Sequence, residues 1–148
     1  MNRRAFLFAS LVAASPLAAQ TADIWTAAQA RAALQEGSIL MLDIRTAEEW
    51  AETGVAEGAL PVSLHQEGFA ERLFKARELA QGRPVALICA TGGRTDYVMQ
   101  ALRGAGQGGF VDVSEGMMGS ALGRGWIASG LPVVTLDKAL SILPEALR

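Results

Sequence analysis

The sequence is poor in the side chains that most often carry function unaided. Its 148 residues contain one cysteine, one histidine and one tyrosine, and aromatic residues amount to only 6%. A lone cysteine excludes an internal disulfide, and one cysteine with one histidine cannot furnish a zinc site. No charge of one sign dominates: the formal net charge is −2, which argues against nucleic acid or an anionic membrane as a general partner. Fixed-period repeats and low-complexity segments are absent. What remains, with 51% hydrophobic and 19% charged residues, is the composition of a globular chain with room for one domain and its core.

The first twenty residues, MNRRAFLFASLVAASPLAAQ, are of a different kind. Arg3 and Arg4 lead a short apolar run, small residues follow, and no acid occurs before Asp23. This order is that of a secretory signal, and the run is shorter than the roughly 20 residues that span a bilayer. Residues 1–19 are therefore expected to be a signal peptide cut after Ala19. The mature chain, 20–148, then has 148 − 19 = 129 residues and a charge of −2 − 2 = −4. Arg3-Arg4-Ala5-Phe6-Leu7 also fits a twin-arginine signal, so both export routes stay open. Either implies a bacterial periplasmic protein with no membrane anchor after cleavage.

Along the mature chain, helix and strand signals alternate. Thr26-Ala-Ala-Gln29 is a capping box opening a helix that Gly37 stops, and Thr46-Ala-Glu-Glu49 is a second one. Residues 38–45, 60–64, 85–89, 110–113 and 131–135 read as strands, the first and third too continuously apolar for a half-exposed sheet. Helices are expected after Phe69, over residues 94–103 and over residues 118–129, with a short one at the C-terminus. Such alternation predicts an α/β fold, a central parallel sheet with helices on both faces. Ligands of such sheets sit at the carboxyl ends of the strands, which is where Asp43-Ile-Arg45 and Cys89-to-Arg94 fall.

The cysteine closes an apolar run: Pro84-Val-Ala-Leu-Ile-Cys89-Ala-Thr-Gly-Gly-Arg94-Thr95. Gly92 and Gly93 permit positive φ, so consecutive amide N–H groups can converge on one point. The helix that follows adds the positive end of its dipole, and Arg94 adds a full charge with a forked donor set. A thiolate placed there is stabilised, and an anion on its sulfur is held by the same donors. The plainer reading, a small buried hydrophobe before a turn, is disfavoured by the Gly-Gly-Arg tail.

At these residues the chain resembles the rhodanese-like sulfurtransferase domain. Cys89-Ala90-Thr91-Gly92-Gly93-Arg94 matches its Cys-x4-Arg loop, and Met41-Leu-Asp-Ile-Arg-Thr-Ala-Glu-Glu-Trp50 its Asp-x-Arg-x-x-x-Glu signature. Gly58-Ala59 precedes the second strand as in the family, and Trp126 with Gly130-Leu-Pro132 resembles its C-terminal signature. The resemblance implies transfer of a sulfane sulfur through a persulfide on Cys89, with Arg94 and the loop residues Ala90 to Gly93 and Thr95 around it. It implies a small anionic donor such as thiosulfate, a thiol or cyanide acceptor, and no cofactor or metal. It leaves a catalytically silent binding module as the alternative. Cysteine-dependent phosphatases and arsenate reductases are a more distant one, because phosphatase loops carry one more residue and a His before the cysteine, where this chain has Ile88.

The sequence departs from the family pattern in three places. Val55-Ala56-Glu57 replaces the common His-Ile-Pro, Ala90 stands where a second basic residue often sits, and the stretch from Glu115 to Trp126 is longer by about five residues. That insert, with Met117 and Met118, is expected either to shape the pocket rim or to lengthen a helix entry. Asp43 and Arg45 read as an ion pair bracing the sheet edge in preference to a substrate contact. Asp96 reads as a first-turn acid, His65 as a surface turn residue, Trp50 and Trp126 as core. Gly104-Ala-Gly-Gln-Gly-Gly109 follows a helix and precedes a strand, the reverse of a dinucleotide loop, and is a connector.

Overall fold

The computed structural model describes residues 23–148. The expected signal peptide, residues 1–19, lies outside the described residues.

The first capping box forms as its residues dictate. Thr26 Oγ1 accepts from Gln29 N at 3.1 Å, and Gln29 Oε1 accepts from Thr26 N at 2.8 Å. Helix α1 (Ala27–Glu36) runs from that box to Gly37, whose φ of 68° ends it in the left-handed conformation. Strand β1 (Ile24–Trp25) precedes it, and β2 (Leu40–Asp43) follows. The second box, Thr46 with Glu49, opens α2 (Ala47–Thr53). Two short strands come next, β3 (Val55–Ala56) and β4 (Leu60–Pro61), then α3 (Phe69–Ala80), β5 (Val85–Ile88), α4 (Gly93–Gly104) and β6 (Phe110–Val113). The chain ends with α5 (Gly125–Ala128), β7 (Val133–Val134), α6 (Leu136–Ser141) and a 3-10 turn at Glu145–Leu147.

Five strands form one parallel sheet in the order β1-β6-β5-β2-β4, with β2 and β5 paired from Leu40↔Val85 to Asp43↔Ile88. Both faces are covered, which is why β5 and β6 are buried at every position. The period-2 alternation of the strands divides the core. Met41, Ala86, Ile88, Val111 and Val113 pack on one face with α1 and Trp126. Leu42, Ile44, Leu87, Cys89 and Phe110 pack on the other with α3 and α4. Each of these fully buried aliphatic side chains stabilises the fold by about 1.5–3 kcal/mol. Cys89 therefore continues the α3/α4 face beyond the end of β5.

Three details differ from the pattern read in the sequence. The edge strand β1 is too short to announce itself. Val55-Ala56 pairs antiparallel with Val133-Val134 in a two-stranded clip, a partnership no local pattern encodes. The helix expected over residues 118–129 is confined to Gly125–Ala128. Gly116, Gly119 and Gly125 all have positive φ, a conformation incompatible with a continuous helix. Residues 114–124 fold instead into turns closed by a Ser120↔Gly123 bridge.

Candidate active site

At the carboxyl edge of the sheet, β5 stops at Ile88 and α4 starts at Gly93, so Cys89 to Gly92 must turn the chain within four residues. Gly92 has φ 88°, and an added Cβ there would collide with the Ser114 carbonyl; only glycine fits. Its N–H donates to Cys89 Sγ at 3.2 Å. The turn is held from behind, where Met117 N donates to Cys89 O and Met118 N to Ala90 O, both at 2.8 Å. With these carbonyls tied outward, the turn is held in the shape that sets Gly92 N–H against the sulfur. The insert thus braces the loop. Met117 is fully buried and Met118 exposed.

Cys89 is 1% exposed. Its sulfur lies 3.7 Å from Thr95 Oγ1, and the Thr95 hydroxyl donates to Gly92 O at 3.0 Å. Gly92, the N-cap of α4, contributes no side-chain cap, so the positive end of the helix meets the loop without an intervening oxygen.

Arg94 departs from its expected placement. Its fork points to Glu49, with Nη1 donating to Oε2 at 2.7 Å and Nη2 to Oε1 at 2.6 Å. Glu49 Oε2 also accepts from Thr46 N at 2.9 Å, closing the α2 capping box. The bidentate Arg94 contact pulls the Glu49 carboxyl from its ordinary 4.5 to about 2. The same pairing fixes Arg94 more firmly in its charged form, with a further contribution from the Coulombic attraction of Cys89. Arg94 therefore lends the sulfur a positive field while its donors are committed to Glu49. The reading of the sequence used Glu49 as a helix cap and as part of a motif; the missing signal was a partner 45 residues away.

Asp43 and Arg45 form the buried brace expected of them. Both are at most 1% exposed, and Arg45 Nε and Nη2 contact the Asp43 carboxylate at 3.0 and 2.7 Å. Arg45 also donates to Thr53 Oγ1 and Gly54 O, tying the end of α2 to the sheet edge. Ala90 and Thr91 complete the loop without a second basic residue. Asp96 occupies the first turn of α4 and accepts from Gln100 Nε2 at 2.7 Å, and His65 is exposed. Asp112 on β6, which the sequence did not single out, is 5% exposed. Burial pushes its carboxyl above the ordinary value.

Known proteins of the same shape were solved from several bacteria. A Rhodopseudomonas palustris CGA009 protein of unknown function, RPA3614, described as a possible tyrosine phosphatase, superimposes with a TM-score of 0.57 at 18% identity, over 78% of this chain and 86% of its own. Alr3790 from Anabaena sp. gives 0.56 at 20% identity, over 79% and 86%. Rv0390 from M. tuberculosis gives 0.55 at 25% identity, over 75% and 96%. These likenesses concern the fold. No curated protein matches the sequence. Residues 26–120, which include the cysteine loop and the β2–α2 signature, match the rhodanese-like domain profile, and the chain belongs to the rhodanese-like domain family.

Proposed function

We propose that the protein is a sulfurtransferase that carries a sulfane sulfur on Cys89. The observation that supports this best is the amide donation of Gly92 to the Cys89 sulfur, inside a loop whose carbonyls are tied away from it. The Cys89 thiolate attacks the outer sulfur of a donor such as thiosulfate; the S–S bond of the donor breaks and sulfite leaves with the bonding pair. The persulfide so formed has its terminal charge among the loop amides and in the field of Arg94, the arrangement by which preorganised donors stabilise developing charge. A thiol or cyanide acceptor then attacks the terminal sulfur, and the Cys89 thiolate leaves. No step calls for a cofactor or metal.

Mass spectrometry of the purified protein with and without thiosulfate tests the reading, the expected result being one added sulfur on Cys89. Cys89→Ser should keep the fold and lose all thiosulfate:cyanide turnover, because an alcohol forms no persulfide equivalent. Turnover by the serine variant would overturn the mechanism. Absence of any added sulfur in the wild type would point to a silent binding module.

A phosphatase reading draws on the printed description of RPA3614. The six-residue loop, with Ile88 before the cysteine, favours a single sulfur atom over a phosphate. Hydrolysis of p-nitrophenyl phosphate lost in Cys89→Ser would reverse that preference. The site is placed in the periplasm by the same proposal, from the order of charges and apolar residues in 1–19. N-terminal sequencing of protein from its host should begin near Gln20, and an intact Met1 in the cytoplasm would refute it.

A further inference from the structure

A buried N–H that meets no acceptor is costly, and more so when it carries charge. Among the described residues, three buried side-chain atoms have no hydrogen-bond partner: Trp50 Nε1, Arg72 Nη1 and Asp112 Oδ1. The first two belong to side chains that donate and cannot accept. They come from separate elements, α2 and α3, yet both residues wall one cavity of about 240 Å³. Asp112 borders a different cleft, beside the cysteine loop.

The cavity lies where α3 meets the C-terminal turns. Leu73 of α3 packs in one cluster with Leu143 and Leu147, and that packing brings the neighbouring Arg72 up to residues 140–148. Arg72 Nε donates to Arg148 O at 3.4 Å, a long contact that leaves Nη1 without an acceptor. Arg72 forms no salt bridge with any described Asp or Glu side chain. Arg148 adds a second positive charge and is itself held to the wall. Its Nη2 donates to Leu140 O and Leu143 O at 2.9 and 3.2 Å, and its Nε faces Glu145 Oε2 at 3.3 Å.

No lining residue of this cavity is acidic, and Leu140, Leu143 and Leu147 make one side of it apolar. A few convergent polar groups against an apolar wall is the usual build of a small-molecule site. Donors without acceptors call for a ligand group that only accepts, and a guanidinium edge matches a carboxylate best. We propose that the cavity binds a small monocarboxylate bearing a short aliphatic chain. The carboxylate accepts from Arg72 Nη1 and Trp50 Nε1, and the chain lies on the leucines. On its other side Trp50 borders a larger cavity whose lining includes Asp137; that acid repels an anion, so the ligand belongs on the Arg72 side. No residue of the cysteine loop lines the site, and it stands whether or not the protein transfers sulfur.

Hexanoate is the probe, titrated into the purified protein while the indole N–H resonances are followed by NMR. The chain has three tryptophans, and Trp50→Phe identifies the signal of Trp50. That signal should shift saturably, whereas Trp126, whose indole already donates to Pro132 O at 2.8 Å, should stay in place. By calorimetry, Arg72→Gln should weaken hexanoate binding about tenfold or more, and Trp50→Phe about fivefold. Arg72→Lys should fall between wild type and Arg72→Gln, because it keeps the charge and loses the fork. Arg94→Ala should bind hexanoate as wild type does, which separates this site from any anion held at the cysteine loop.

Three comparisons need only the wild-type protein. Hexanol lacks the charge, acetate lacks the chain and hexylammonium carries the wrong sign, so each should bind at least about tenfold more weakly than hexanoate. An unmoved Trp50 signal, with water as the only occupant, would overturn the proposal. So would hexanol, acetate or hexylammonium binding as tightly as hexanoate, or an affinity unchanged in Arg72→Gln.

Discussion

Two arginine–carboxylate pairs stand within a few residues of each other, and they differ in almost everything but chemistry. Arg45–Asp43 is closed from solvent, at 1% and 0% side-chain exposure, and joins residues two apart in the chain at the end of β2. Arg94–Glu49 is left 26% and 30% exposed and joins two helices from distant parts of the chain. The first has no room for a substrate and fixes where β2 ends and α2 begins. The second keeps Arg94 charged and electrostatically coupled to the cysteine while its donors stay committed to Glu49. The same pair of functional groups thus serves as a brace where it is dry and as a tuned field where it is wet.

The largest effect should come from breaking the dry pair. Asp43→Leu leaves Arg45 buried and unpaired, which typically costs 3–5 kcal/mol; urea denaturation should show it, and a loss below about 1 kcal/mol would mean the brace is not structural. Arg94→Ala should cost only about 1 kcal/mol of stability, as exposed pairs do. It should nevertheless slow Cys89 alkylation near neutral pH about tenfold or more, because the thiolate loses its counter-charge. Thiosulfate turnover should fall further, since the anionic donor loses the same attraction. Arg94→Lys should recover part of both by supplying charge without the fork. Three superimposable alkylation curves would return Cys89 to the role of an inert core thiol.

Glu49→Gln sharpens the contrast with a change of opposite sign. It removes a negative charge near the sulfur and frees the Arg94 fork, so alkylation should speed up and the KM for thiosulfate should fall. Slower alkylation together with a higher KM would show that Glu49 works by positioning Arg94 alone. The smallest effect should be in acid. The Glu49 carboxyl is depressed to about 2 in the fold, so the stability it contributes is fully present above its ordinary value of 4.5. That stability should be lost as pH falls from there through about 2. Thermal melts of wild type and Glu49→Gln should differ above that window and converge below it.

Much of this molecule is legible in the sequence because its causes are local. The boxes at Thr26 and Thr46, the stop at Gly37 and the all-apolar β2 and β5 each follow from a handful of adjacent residues, and the glycine turn after Cys89 does too. What stayed hidden is non-local or depends on space. The acid that claims the Arg94 fork lies in another helix, and the β3–β7 clip joins residues separated by most of the domain. Asp112 gave no signal because an aspartate amid Phe110-Val-Asp-Val113 interrupts an apolar strand without naming what it faces. The missing helix over residues 118–124 is the one place where a local warning, four glycines from Gly116 to Gly125, was outweighed by the apolar spacing of Leu122 and Trp126.

The brace of Met117 and Met118 on the cysteine loop also fixes a moment in the life of the chain. Until that downstream segment has docked, the carbonyls of Cys89 and Ala90 lack their ties and nothing holds Gly92 N–H against the sulfur. The surroundings of the Cys89 sulfur are thus completed only with the fold. If Cys89 carries the sulfur as proposed, its nucleophile is armed last, and an unfinished chain is spared part of the oxidation and mixed-disulfide formation open to a reactive thiolate.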